Sequence, residues 1–145
     1  MDAIKNNPFR VLGLPITASE REIAKQVNML ATYTAMGKEN FFDADFNFLS
    51  KIERTPDTVD EARKQIEKSE SKFLYSLFWF WNNNSMDELA LEVLKEGNTS
   101  KAIEIWEKSV FANKNKVYLS IVLIENLIKH SNNWSDQKDE DHSFV

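Results

Sequence analysis

Asn7-Pro8-Phe9-Arg10-Val11-Leu12-Gly13-Leu14-Pro15, with Thr17-Ala18-Ser19-Glu20-Arg21-Glu22-Ile23 behind it, is the stretch from which the fold can be read. Asn7 is placed to cap a short helix with Pro8 at its first position, where a missing N–H costs nothing. Gly13 ends that helix, and Pro15 prevents its resumption. Ser19 with Glu22 makes a Ser-x-x-Glu capping box, Thr17 with Glu20 offers a second register, and a second helix opens here. Ile23, Val27, Leu30 and Thr34 then recur at helical spacing, so one stripe is expected to face inward until Gly37 stops the helix.

The rest of the chain obeys the same logic. Three glycines and three prolines are all that punctuate 145 residues, and long segments rich in Glu, Lys, Leu and Ile run between them, which predicts an all-α protein. Residues 38–57 read as an irregular connection pinned by its phenylalanines. Phe46 and Phe48 alternate as in a strand, but nothing else in the chain supplies a partner. Asp57 or Thr58 opens a long third helix in which Val59, Ala62, Ile66, Phe73, Leu77 and Trp81 keep phase. Its last turns, 73–81, are apolar nearly all round and require cover on several sides. Asn82-Asn83-Asn84 with Ser85 closes it and caps the next helix. Residues 86–96 and 100–112 form an amphipathic pair about Gly97-Asn98, and 116–130 a strongly apolar last helix through Val117, Ile121, Ile124 and Ile128. The segment from Asn132 to Val145 is polar, acidic and aperiodic, the composition of a disordered tail. The expected division is residues 1–82, 83–131 and 132–145.

Composition removes several functions. A net charge of -5 speaks against general nucleic-acid binding, whose main affinity term is Lys and Arg neutralising phosphates. The absence of cysteine excludes disulfides, thiolate metal sites and cysteine nucleophiles, and suits the cytoplasm. The N-terminus lacks the layout of a secretory signal, and no apolar run approaches the roughly 18 residues of a membrane span. Asp43-x-Asp45-x-Asn47 resembles half of a calcium loop, but Phe48 stands where such a loop needs Gly and Arg54 where it needs a carboxylate. His130 and His142 form no triad or metal set. With no phosphate loop or hydrolase motif either, no catalytic, cofactor-binding or metal-binding residue is assigned and no enzyme is expected.

The opening stretch resembles the start of a J domain, the helical module of DnaJ-type co-chaperones. Asn7-Pro8-Phe9-Arg10-Val11-Leu12-Gly13-Leu14 is similar to that family's first helix, Ala18-Ser19-x-x-Glu22-Ile23 to the opening of its second, and Leu30-Ala31 falls where the family also has Leu-Ala. The long helix from Val59 stands in the position of its third. The resemblance implies a J-like packing of helices, with the third extended and packed against a C-terminal hairpin or bundle. The family stimulates a heat-shock ATPase chaperone through a His-Pro-Asp triplet after the second helix and a basic face on that helix. Here the triplet positions hold Ala35, Met36 and Gly37. Ala24, Asn28, Met29 and Tyr33 occupy positions where the family is basic, so the stimulating activity is not carried over.

Leu89-Ala90, Val93, Gly97-Asn98, Ala102-Ile103 and Trp106 fall on the spacing of one tetratricopeptide repeat, in which small residues let two antiparallel helices approach. Ser109 stands where that repeat prefers Ala. Together these features lead to a non-catalytic protein-binding adaptor or scaffold. Its partner is another protein, with neither nucleic acid nor membrane involved and self-association compatible with the pattern. Large aromatics concentrate binding energy, so Tyr75, Trp79, Trp81, Trp106, Phe46 and Phe48 are the candidate partner-binding residues. The alternative is a J-like regulator that binds the heat-shock ATPase chaperone without stimulating it.

Overall fold

In a computed structural model, which describes residues 6–108 and 113–142, every regular element is helical. Helix α1 spans Pro8–Leu12, α2 Glu20–Ala35, α3 Pro56–Gln65, α4 Ser69–Ser76, α5 Ser85–Lys95, α6 Thr99–Glu107 and α7 Lys114–His142, with a 3-10 turn at Asp43–Asp45. Helices α1 and α2 both pack on α3, α5 pairs with α6, and α6 carries α7.

The first two helices begin and end where their local signals place them. The Asn7 side chain accepts the Phe9 N–H at 3.0 Å, and Gly13 closes α1 at φ +64°. A Cβ on Gly13 would stand 2.6 Å from the Phe42 ring, so glycine is required there for space as well as for backbone angle. Ser19 and Glu22 form the capping box in both directions, and those hydrogen bonds hold the Glu22 carboxyl below its ordinary value.

The irregular connection is fixed by arginines as much as by phenylalanines. Arg54, whose side chain is buried, donates to Val11 O (2.6 Å), Arg10 O (2.8 Å), Asn40 O (2.9 Å) and both carboxylate oxygens of Asp45. Val11 O and Arg10 O are last-turn carbonyls of α1, so one side chain satisfies a helix end and clamps the connection to it. Its guanidinium also lies 4.6 Å from the centre of the Phe42 ring. Arg10 donates to Asp45 O and Ser50 O from within the core, and burial pushes its guanidinium down to about 10 against the pull of Asp45.

The expected long third helix is two helices. Helix α3 stops at Ile66, α4 ends at Ser76, and residues 77–84 are not helical. The carbonyls that a continuing helix would use are taken by side chains from elsewhere. Asn7 Nδ2 donates to Tyr75 O (2.9 Å), while Trp81 Nε1 (2.6 Å) and Lys114 Nζ (3.1 Å) donate to Ser76 O. The phase already fails at the earlier break, after Ile66: Val59, Ala62 and Ile66 are buried, but Phe73 is 60% exposed.

Asn84 and Asn98 cap α5 and α6, and fully buried Ala90 and Ala102 allow these two helices to approach closely. Helix α7 continues to His142, past Asn132 where an irregular tail was expected; no Gly or Pro comes after Gly97 to stop it. Residues 109–112, with Ser109 and the expected last turn of α6, and 143–145, the end of the expected tail, lie outside the described residues.

Candidate functional site

Three of the six aromatic candidates are internal. Phe46, Trp79 and Trp106 are buried and join through Phe80 into a chain of ring contacts: Phe46 to Trp79 at 5.9 Å, Phe46 to Phe80 at 5.2 Å, Trp79 to Phe80 at 5.3 Å and Phe80 to Trp106 at 6.4 Å. This corrects the expectation that they anchor a partner, because they present almost no surface. Their size serves to tie the connection at 46–48 to the α5–α6 hairpin. Phe48 is half-buried and stacks on Phe46 at 5.3 Å. Trp81 is also half-buried, with its indole N–H bonded to Ser76 O and its ring face 3.6 Å from Lys114 Nζ. Tyr75 is half-buried in the wall of the core.

The break between α3 and α4 creates a different site. A groove of about 730 Å³ runs between α2 on one side and α3 with α4 on the other. Its apolar walls come from Ile23, Ala24 and Val27 of α2, Ile66 at the end of α3 and Phe73 of α4. Ile23 and Val27 belong to the stripe read as inward-facing. They are only half-buried because the groove opens beside them, whereas Leu30 and Thr34 further along are buried.

The polar groups around the groove are largely engaged. Lys72 Nζ crosses to Ala18 O at 2.8 Å and ties α4 to the start of α2. Arg63 pairs with Asp60 at 3.0 Å and Glu67 at 3.8 Å, and its contact together with that of Lys64 holds the Asp60 carboxyl below its ordinary value. The apolar walls can accept apolar side chains. Reading the chain by stripe missed this site, although one signal was present. Between Ile66 and Phe73, the positions that would continue the stripe hold Ser69 and Glu70, so the apolar face lapses for one turn.

At the far end of α2, Met36 caps the helix and Gly37 turns the chain at φ +69°. Met29, Tyr33 and Met36 succeed one another at helical spacing and are all exposed, an apolar strip. Asp45, part of the half calcium loop, has both carboxylate oxygens on Arg54. Among the described residues no group of three or more His, Cys, Asp or Glu could hold a metal ion, and no helix is long and apolar enough to cross a membrane. Compared with family models, curated proteins and solved structures, the chain has no significant match.

Proposed function

We propose that this protein is a non-catalytic protein-binding module whose partner inserts an amphipathic helix into the groove between α2 and the α3–α4 pair. The observation that carries this reading is Phe73. A large aromatic, 60% exposed, stands at the lip of a groove walled by Ile23, Val27 and Ile66. An exposed aromatic beside an apolar cleft is the arrangement in which partner helices lodge side chains at i, i+3 or i+4, and i+7. Arg63 and Glu67 pair with each other and Lys72 donates to Ala18 O, so recognition rests mainly on apolar fit with a polar rim. In this reading the J-like opening acts as a scaffold that sets α2 against α3.

The test places a photo-crosslinking amino acid at Phe73 and, separately, at Ile23 in the full chain. One shared partner captured from both positions, and lost when Val27→Glu is added, is the expected result. Capture that is equally efficient from the exposed Leu89 on α5, or that persists with Val27→Glu, would reject the groove as the binding site. Adding a heat-shock ATPase chaperone to the same variants separates the two protein-binding readings. The groove reading predicts no crosslink from Phe73 to it and no change in its ATPase rate.

A further inference from the structure

Helix α7 has two apolar faces, and among the described residues only one of them is covered. Leu119 and Val122 are buried against the body, and Asn126 on the same side donates to Phe48 O at 2.9 Å. At 3.6 residues per turn, Val117, Ile121, Ile124 and Ile128 fall on roughly the opposite side of the helix. Val117 is 48%, Ile124 57%, Leu127 69% and Ile128 56% exposed, with Ile121 between them partly so. The apolar stripe noted in the sequence is thus the outward face of α7, and Leu119 and Val122 supply the inward one.

We infer that this outward face is the contact through which two copies of the chain pair. Its residues recur at intervals of four, three and four, the alternation that lets two helices mesh side chains along a common seam. The seam carries no charge between Lys114 and Ser131, so it meets its own copy without like-charge repulsion. Antiparallel pairing sets Ile121 of one copy against Ile124 of the other, and Val117 against Ile128.

The charges beside the seam are engaged within the chain: Glu125 lies 4.0 Å from Lys129, and Lys116 3.6 Å from Glu107. They therefore make little demand for a foreign partner of opposite charge. The exposed side chains offer on the order of 400 Å² of apolar surface per copy, the size at which a patch on a monomer usually has a function. Paired, the two faces would bury on the order of 800 Å² in total, at the low end of the size range, which fits a dimer that forms and dissolves with concentration.

Sedimentation of the full chain over roughly 1–200 µM tests the inference, since pairing obeys mass action. The wild type is expected to shift from monomer to dimer within that range. Ile124→Glu with Ile128→Glu is expected to remain monomeric with an unchanged helical spectrum, and the gentler Ile124→Ser with Ile128→Ser pair to weaken dimerisation at least tenfold. Leu89→Glu, exposed on α5, should leave the dimer intact. A wild type that stays monomeric throughout overturns the proposal. So does a dimer indifferent to both α7 pairs, and if that dimer is dissolved by Phe73→Glu, the second copy belongs in the groove instead.

Discussion

Arg54 is the residue on which the connection between α2 and α3 depends. Its contacts reach Arg10 O, Val11 O, Asn40 O and the Asp45 carboxylate from a buried position, so removing it takes the ion-pair partner from Asp45 and a donor from each of three carbonyls together. Losing one partner of a buried pair costs about 3–5 kcal/mol. Arg54→Met is expected to lower the urea-derived unfolding free energy by about that much, and Arg54→Lys to recover only a small part because an ammonium cannot engage both Asp45 oxygens in parallel. Nothing local announced this role. In the sequence Arg54 ends a run of charged residues, and the carbonyls it caps lie more than 40 positions earlier. The same distance concealed Lys114, whose ammonium sits over the Trp81 ring and donates to Ser76 O. Burial pushes it from 10.5 down to about 8. Between those values the unfolded chain binds more protons than the folded one, so this group makes stability rise as pH climbs through that window. Tyr118, which faces the same ammonium, is pushed upward from 10.0 by burial, so its opposing contribution lies above that range. The melting temperature of the wild type relative to Lys114→Met should therefore increase between about pH 7.5 and about pH 9.5.

Helices α1 and α2 were legible because their determinants lie within a few residues of their ends: Asn7 and Gly13 for one, Ser19 and Glu22 for the other. The division of α3 from α4 was not, because no Gly or Pro marks Ile66-Glu67-Lys68; nor was the end of α4 at Ser76, where Asn7, Trp81 and Lys114 reach the last carbonyls only in the folded chain. Helical periodicity carries Val59, Ala62 and Ile66 correctly inward, then extends past a break that it has no means to detect. The start of α4 also lacks the signal that marked the others. Lys68 is its N-cap residue, in an extended conformation at φ -92° and ψ 137°, with no side-chain hydrogen bond to the first turn. An acceptor is missing from a backbone already arranged to use one. Lys68→Asp should supply it and place a negative charge at the helix start, stabilising the protein by about 0.5–1 kcal/mol. Thermal unfolding checks the sign, and an unchanged or lower melting temperature would show that α4 does not begin at Ser69. Because the groove depends on the same break, this variant should retain whatever binds beside Phe73.

At the scale of the molecule, the opening helices and the α5–α6 hairpin share one interior. The buried cluster runs from Phe9 and Leu30 through Val59 and Phe46 to Trp79, Phe80, Leu94, Trp106 and Val122. Phe80 is the ring through which that continuity passes, since it contacts Phe46 and Trp79 on one side and Trp106 on the other. An all-α prediction could be made from composition alone, but a ring contact spanning residues 46 to 106 could not, because its members look like any other apolar residues in their own helices and loops. The arrangement has a measurable consequence. If the two parts share a core, amides of Leu30 in α2 and Leu94 in α5 should exchange with solvent through the same global opening and report the same free energy, as expected for a single cooperative unit. Phe80→Ala should cost about 3–5 kcal/mol through the cavity it leaves. It should also separate the two amides, with one half opening at lower free energy than the other. Equal destabilisation at both sites would mean that other contacts carry the cooperativity, and unequal free energies already in the wild type would mean that the aromatic chain joins two units without making them one.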